Sequence, residues 1–153
     1  MRALIQRVKS GAVSTGGTHN VIGRGLVVLL GVGEGDTAAD AGLLAAKTAN
    51  LRIFPDERGR FDRSLLDVGG EALVVSQFTL YADASRGRRP DFASAARPEE
   101  ARRLYEAFSA ELRSAGAPVK NGVFAADMEV TIVNDGPVTI WLDTADLGRD
   151  RKK

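Results

Sequence analysis

Two short segments carry polar groups that folding alone does not explain. The first is Ser76-Gln77-Phe78-Thr79, which places three hydrogen-bonding side chains in an otherwise apolar stretch. Buried polar groups cost free energy unless they are hydrogen-bonded, so this segment is expected to border a cleft or an interface. The second is Asn134-Asp135-Gly136-Pro137, where Pro137 cannot donate to a β-ladder. A cis Gly136–Pro137 bond would aim the glycine carbonyl in a direction that ordinary strands cannot.

The scarcity of reactive side chains excludes several classes of enzyme. The chain of 153 residues has no cysteine and one histidine. Thiolate catalysis, disulfides and Cys-ligated metals are therefore excluded. With one histidine, the chain also offers few residues for a histidine-based metal site or a serine–histidine relay. His19 lies in a loop rich in Gly and Thr and is interpreted as a surface residue. We expect neither a metal nor a cofactor, and Thr79 is left as the one candidate nucleophile, without a histidine to activate it.

Charge is balanced overall, but basic residues cluster locally. There are 21 Lys plus Arg against 20 Asp plus Glu, a formal net charge of +1. This balance excludes a histone-like polycation but leaves a local basic patch open. Arg86, Arg88 and Arg89 form a basic loop that either meets phosphates or is simply solvated. The glycine-rich stretch 31–36 lacks a complete phosphate-binding motif and is interpreted as a tight strand-to-helix turn.

The elements that must position these segments predict a single α/β (α+β) domain. Its expected architecture is a mixed, barrel-like sheet of five to seven strands with two main helices. The run 26–32 is apolar throughout and is predicted to be a strand buried on both faces. Segment 134–137 is predicted to form a turn between two strands in which apolar and polar residues alternate. Strands are predicted at residues 2–8, 11–14, 26–32, 73–81, 128–133 and 138–142, and a short strand with a turn is predicted over 53–60.

Two helices have clear start and stop signals. The first is expected to begin at an N-cap at 36–37 and to run to about Leu51. The second has Pro98 at its first position and ends at a Gly116 C-cap. Its apolar stripe places three side chains on the core face: Leu104, Phe108 and Leu112.

No targeting or membrane segment is visible in the sequence. The longest apolar run, Leu26 to Leu30, is far shorter than the ~20 residues that cross a bilayer. The first eight residues alternate and lack the apolar core of a signal peptide. We therefore expect a cytoplasmic protein without membrane contact, with a domain over residues 1–147 and a basic, mobile tail over 148–153.

Four segments together resemble the D-aminoacyl-tRNA deacylases: Met1 to Val8, Leu65 to Gly70, Ser76 to Ala82, and Asn134 to Thr139. The resemblance extends from Met1 to about residue 143. The last two segments, in this order and at this separation, are highly specific, whereas one alone would be weak. In that family the first hairpin is more regular, so the polar stretch 14–20 is expected to be frayed here.

The resemblance implies chiral proofreading. The enzyme would hydrolyse the ester of D-aminoacyl-tRNA, and of Gly-tRNA(Ala), releasing the amino acid and tRNA while rejecting L-aminoacyl-tRNA. It would act as a homodimer with a cross-subunit active site and without cofactor or metal. Gly136 and Pro137, joined by a cis bond, would enter the partner's pocket and accept the α-amino group, leaving no room for an L side chain.

The same resemblance assigns the remaining site residues. Ser76 and Gln77 would line the pocket, and Arg7 would brace the Gly–Pro loop. Phe124 and Met128 would pack near the terminal adenine. An aminoacyl ester is labile, so we hypothesise that backbone N–H groups around Phe78 and Thr79 bind the oxyanion while the ribose 2′-hydroxyl helps to activate water.

Two alternatives stay open at the level of the sequence. A non-catalytic tRNA- or RNA-binding module would use the arginine-rich loop and the basic tail, and would bind tRNA without cleaving the ester. A hydrolase of free D-amino acid esters would ignore the RNA.

Overall fold

The structure is a computed structural model that describes residues 1–148. The predicted basic tail, from residue 149 onward, lies outside the described residues. Over this range the chain forms eight strands, two α-helices and one 3-10 helix, one strand more than the upper end of the sequence prediction. Their order is β1 (Arg2–Thr15), β2 (Thr18–Ile22), β3 (Gly25–Gly31), α1 (Ala38–Asn50), β4 (Phe54–Pro55), β5 (Phe61–Arg63), β6 (Glu71–Ser76), the 3-10 helix (Phe78–Tyr81), α2 (Pro98–Ser114), β7 (Val119–Asn121) and β8 (Glu129–Asp143).

Six strands form a mixed, nearly closed barrel-like sheet, and the chain is a single α/β domain, as predicted. The main path runs β2-β1-β3-β6-β7, and β8 pairs with β1. β3–β6 and β6–β7 are parallel, whereas every pairing of β1 is antiparallel. One edge of β1 pairs first with β3 and then with β2, while β8 follows its other edge. The remaining edge of β8 has no strand partner among residues 1–148.

The predicted break in the first strand is wrong, and so is the frayed hairpin. β1 is a single strand of 14 residues, and β2 folds back on it from Thr15↔Thr18 to Gly11↔Ile22. The Ser14 hydroxyl and His19 Nδ1 lie 2.5 Å apart across the hairpin. Polar side chains on paired strands can hydrogen-bond to each other, so a polar sequence does not prevent regular pairing here.

The predicted turn between two final strands is also wrong. β8 is one strand of 15 residues with a bulge opposite Arg7. The register passes from Gln6↔Thr139 to Val8↔Asn134, so β8 has four residues, 135–138, where β1 has one. The Asn134 side chain spans the bulge by donating to the carbonyls of Arg7 (3.0 Å) and Val138 (3.1 Å). The Gly–Pro segment therefore lies on the bulge of a strand and not at a hairpin tip.

The strand predicted over 73–81 stops at its middle. β6 ends at Ser76, and Phe78–Tyr81 is a 3-10 helix. The Gln77 N–H still donates to Leu30 O (2.8 Å), which continues the ladder to β3. The Leu80 N–H then donates to Gln77 O (3.2 Å), which turns the chain away from the sheet.

Both helices are confirmed, together with their end signals. The Thr37 side chain caps α1, and Asp40 completes the capping box. α2 begins with Pro98, and Gly116 follows it with a φ of +112°. The predicted stripe of α2 is fully buried and packs into the main core: Leu104, Phe108 and Leu112. Neither α-helix within residues 1–148 is long and apolar enough to cross a membrane.

The sheet has an apolar cluster on each face. The main core includes Leu26, Val28 and Leu30 of β3 together with residues of both helices. Val27 belongs to the second cluster on the opposite face, with Leu73 and Val75 of β6. β3 is thus buried on both faces, as its continuous apolar run predicts.

Candidate functional site

A cleft of about 420 Å³ opens where β3 and β6 end. This volume is in the usual range for small-molecule sites. Its lining is mostly apolar, and the polar side chains in it are Ser76, Gln77 and Tyr105. The other lining residues come from β3, the 3-10 helix, the loop before α2, α2 itself and the segment after β7: Leu30, Val32, Phe78, Phe92, Ala95, Ala96, Pro98, Ala101, Phe124 and Ala125.

The end of β6 determines how segment 76–79 faces this cleft. Ser76 pairs with Leu30 in the parallel ladder, and the 3-10 helix starts two residues later. The N–H groups of Phe78 and Thr79 are the first of this helix, so no helical carbonyl accepts from them, and no side chain caps the end. The Gln77 amide donates to Thr79 Oγ1. The segment thus presents two main-chain donors beside an apolar cleft.

Aromatic side chains frame the mouth of the cleft. Phe78 is 58% exposed, and its ring meets Phe92 edge-on, with centroids 5.0 Å apart and planes at 67°. The Phe124 ring lies 5.8 Å from the Tyr105 ring. The guanidinium carbon of Arg102 is 5.0 Å from the Phe124 centroid, in cation–π contact. An exposed aromatic surface of this kind can stack on a planar ring of a ligand.

Sequence reasoning missed Tyr105. Its hydroxyl donates to Val74 O (2.8 Å) and accepts from Asn121 Nδ2 (2.9 Å). Burial raises the pKa of Tyr105, so the phenol stays neutral at physiological pH. The available signal was its spacing of four residues from Ala101, which puts both on one helix face. Phe92 was also missed, because nothing local links it to Phe78.

A polar cluster fixes the far end of the 3-10 helix. Arg2 Nη1 donates to Leu80 O (3.0 Å), and its guanidinium carbon lies 4.3 Å from the Tyr81 centroid. Asp36 accepts from the Met1 amino group (2.8 Å) and from the Tyr81 hydroxyl (3.3 Å). Burial, reinforced by the Asp36 carboxylate, raises the pKa of Tyr81 and keeps it a hydrogen-bond donor. The cluster ties β1 to the helix that carries Phe78 and Thr79.

Arg7 and the bulge of β8 form a second polar site. Arg7 is only 8% exposed, and its Nη1 donates to Ile53 O (2.7 Å). Its Nε lies 3.2 Å from Asp135 Oδ2, close enough for an ion pair but without hydrogen-bond alignment. The Gly136–Pro137 bond is cis, and both residues are exposed. Gly136 has a φ of +128°, and an added Cβ would lie 2.8 Å from Val138 Cγ2 and 3.2 Å from Arg7 Nη2.

Within one chain, the cleft and the bulge of β8 lie far apart. In the β1–β3 ladder Arg7 pairs with Leu26, whereas the cleft residue Leu30 pairs with Ala3. Four strand residues span about 13 Å, so the two sites lie at opposite ends of β3. Gly136 and Pro137 are accordingly absent from the cleft lining.

Met128 also lies outside the cleft lining. Its Sδ occupies space that a Cβ on Gly122 would approach to 2.6 Å, and it packs against the second apolar cluster. Its neighbour Phe124 does line the cleft. Of the predicted site residues, the structure brings four together in the lining: Ser76, Gln77, Phe78 and Phe124.

The part of the chain that is described, residues 1–148, holds no group of three or more His, Asp or Glu side chains placed to bind a metal.

Comparison with known proteins identifies the class of enzyme. The family model for D-Tyr-tRNA(Tyr) deacylase matches residues 4–143. The D-aminoacyl-tRNA deacylase of Roseiflexus castenholzii is 61% identical over 100% of this chain and 98% of its own, and that of Roseiflexus sp. strain RS-1 is 62% identical over 95% and 94%. A solved structure described as a c-Myc DNA unwinding element binding protein superposes with a TM-score of 0.88 at 43% identity, covering 94% of this chain and 98% of that one.

Fold and comparisons together define a hydrolase of the aminoacyl-tRNA deacylase class. The chain belongs to the D-Tyr-tRNA(Tyr) deacylase family, which confirms the resemblance noted in the sequence.

Proposed function

We propose that the chain hydrolyses the ester between a D-amino acid and the 3′-terminal adenosine of tRNA, and the corresponding ester of Gly-tRNA(Ala). It would thereby proofread aminoacyl-tRNA in the cytoplasm, where translation consumes this substrate. The single observation that carries the proposal is the position of segment 76–79. Ser76, Gln77 and Phe78 line an apolar cleft, and the main-chain N–H groups of Phe78 and Thr79 begin the 3-10 helix, where no side chain caps them. Family membership over residues 4–143 supports the same activity.

The proposed reaction needs no side-chain nucleophile. Water attacks the ester carbonyl carbon, and the N–H groups of Phe78 and Thr79 stabilise the negative charge on the carbonyl oxygen. The neighbouring ribose 2′-hydroxyl helps to take the proton from water. The bond between the carbonyl carbon and the ribose 3′-oxygen then breaks, and that oxygen receives the proton. The products are the free amino acid and tRNA with an intact 3′ end.

We propose that a second copy of the chain completes the site. The bulge with Gly136 and Pro137 is exposed and distant from its own cleft, so it can serve only the cleft of a partner. β8 also has one edge without a strand partner in the described range 1–148, and it exposes Val133 (45%) and Trp141 (47%). Long open edges and exposed apolar side chains are typical of surfaces that another chain covers. A two-fold axis would supply both clefts at once.

In this homodimer the bulge would test chirality. The carbonyls of Gly136 and Pro137 would accept hydrogen bonds from the α-amino group and hold it where an L side chain collides with the main chain. Glycine has no side chain and passes the same test. Arg7 would maintain the bulge, since it already contacts Asp135 and lies next to Gly136.

The adenine would lie at the aromatic side of the cleft. Phe124 offers a ring beside Tyr105, and Ser76 and Gln77 supply hydrogen-bonding groups in the same lining. Met128 would act indirectly, because it packs against Gly122, two residues before Phe124.

A three-substrate assay tests the proposal. D-Tyr-tRNA, L-Tyr-tRNA and a free D-Tyr ester are incubated with the enzyme, and released tyrosine is measured. We expect rapid release from D-Tyr-tRNA alone. Equal release from the L form would refute the chiral filter, and equal release from the free ester would indicate a small-molecule esterase. No release from any substrate, with tRNA still bound, would indicate an RNA-binding module.

A further inference from the structure

We propose that the loop between the 3-10 helix and α2 is an RNA-binding arm. Its three arginines, Arg86, Arg88 and Arg89, would contact backbone phosphates of tRNA beyond the adenosine held in the cleft. We call residues 84–90 the arginine loop, or in short the arm. The inference rests on the proposed function and extends it, because it specifies how the same site recognises the polynucleotide part of its substrate.

The cations of the arginine loop are exposed and unneutralised. Arg86, Arg88 and Arg89 are all exposed, and none forms an ion pair with any residue in the range 1–148. Some other arginines at the surface do have carboxylate partners, among them Arg52 with Asp62, Arg63 with Glu57, and Arg103 with Glu100. Three unneutralised guanidinium groups within four residues create a local positive potential in a chain whose net charge is only +1.

Acidic residues at the base of the loop form no ion pair with these arginines. Asp83 Oδ1 accepts from the Ser85 N–H (2.9 Å), and Asp91 Oδ1 accepts from the Ala93 N–H (2.8 Å). Hydrogen bonds from Ser85 hold the pKa of Asp83 below its usual value, so it stays ionised and bound to the main chain. Both carboxylates thus serve to shape the loop.

The base of the arginine loop is closed by the main chain. Asp83 N donates to Asp91 O and Asp91 N donates to Asp83 O, each at 2.8 Å. Between them the chain turns at Gly87, whose φ is +67°. A loop whose ends are already joined loses less conformational entropy on binding than an open segment of equal length.

The segments on both sides of the arm line the cleft. The residues before it belong to the 3-10 helix, which carries Phe78 and Thr79. The residue after Asp91 is Phe92, whose ring contacts Phe78 at 5.0 Å between centroids. Farther along, Ala95 bridges to Gly33 and lines the cleft. We therefore expect a polynucleotide that ends in the cleft to pass close to this arm.

Phosphate recognition predicts a specific dependence on salt. Each phosphate that a protein neutralises steepens the fall of log affinity with log salt concentration by about 0.7 on single strands and 0.9 on duplex. The variant Arg86→Gln/Arg88→Gln/Arg89→Gln removes three charges at the arm. A matched control, Lys47→Gln/Arg58→Gln/Lys120→Gln, removes three exposed charges that form no ion pair within residues 1–148, from α1, the turn between β4 and β5, and β7.

The experiment measures kcat/KM for D-Tyr-tRNA between about 50 and 200 mM salt, and for 3′-O-D-tyrosyl-adenosine as a substrate without phosphates. We expect the arm variant to have a salt slope shallower by about 2 to 3, an unchanged kcat on tRNA and unchanged hydrolysis of the adenosine ester. The control variant is expected to keep the wild-type slope.

Two results would contradict the proposal that the arm binds RNA. A wild-type salt slope in the arm variant would mean that the three arginines are only solvated. An equal loss on tRNA and on the adenosine ester would mean that the substitutions disturb the cleft. If the wild-type enzyme hydrolyses neither ester, the proposed function fails, and the salt slope for binding uncharged tRNA, compared between the same variants, still decides whether the arm contacts RNA.

Discussion

Thr79 presents a hydroxyl at the start of the 3-10 helix, where its Oγ1 accepts from the Gln77 amide. The one histidine of the chain, His19, lies on β2 beside Ser14 and belongs to the hairpin with β1. A threonine without a base is a poor nucleophile. The main-chain N–H of the same residue needs no base, and it is unaffected by changes of the side chain.

We therefore expect Thr79→Ala to retain deacylation. The rate of D-Tyr-tRNA hydrolysis should stay within about tenfold of wild type, because the loss is limited to the contact with Gln77 and its effect on positioning. Single-turnover kinetics at saturating enzyme measure the chemical step. Complete loss of turnover with unchanged tRNA binding would make the Thr79 hydroxyl part of the chemistry.

Gly136 combines a positive φ with a crowded site, so Gly136→Ala should distort the bulge. The added Cβ would approach Val138 Cγ2 to 2.8 Å and Arg7 Nη2 to 3.2 Å. A displacement near 1 Å costs about 100-fold in rate, which is the loss we expect for D-Tyr-tRNA. The control is Gly59→Ala, where φ is +77° but nothing lies within 4 Å of the new Cβ. Full activity and full rejection of L-Tyr-tRNA in Gly136→Ala would place the chiral filter elsewhere.

At the scale of elements, α2 both supports the core and forms a wall of the cleft. Phe108 is fully buried in the main core, while Ala101 and Tyr105 line the cleft from the same helix. Phe108→Ala is expected to lower the free energy of unfolding by about 3–5 kcal/mol, measured by chemical denaturation. Glu111→Ala on the exposed face of α2 should change it by less than about 0.5 kcal/mol. A small effect at Phe108 would contradict the packing described for α2.

Local signals explain which elements could be predicted from the sequence. The ends of both helices depend on nearby residues, such as the Thr37 cap and Pro98, and both were correct. The continuity of β1 and β8 depends on pairing between opposite ends of the chain, which no local pattern contains. β6 ends early because Gln77 and Leu80 join in a turn after the last bond to β3.

The candidate site shows the same division: its local part could be predicted from the sequence, and the part that depends on tertiary contacts could not. The polar interruption at 76–79 indicated a cleft border, and three of its residues line one. Phe92 and Tyr105 were not foreseen, because their role depends on tertiary contacts with Phe78 and Phe124. The distance between the cleft and Gly136 likewise follows only from the register of β1 with β3 and β8.

At the scale of the whole molecule, β8 is the surface that we expect to join two copies. Val133→Lys places a charge on its exposed apolar face, and two-fold symmetry would repeat that charge across the interface. We expect a folded monomer without deacylase activity, detected by light scattering together with the D-Tyr-tRNA assay. Leu43→Lys, on α1 and 45% exposed, is the control and should remain dimeric and active. An active monomer in either variant would rule out a shared site.

The offset between cleft and bulge along β3 also has a genetic consequence. In the proposed homodimer, Gly136→Ala would damage only the bulge that a chain supplies to its partner, and Ala95→Trp would fill only the chain's own cleft. Each variant alone is expected to lose most of its activity. In a hybrid of the two, one site unites an intact cleft with an intact bulge, so random mixing should restore about one quarter of the wild-type sites. Two defective alleles expressed together would thus complement each other.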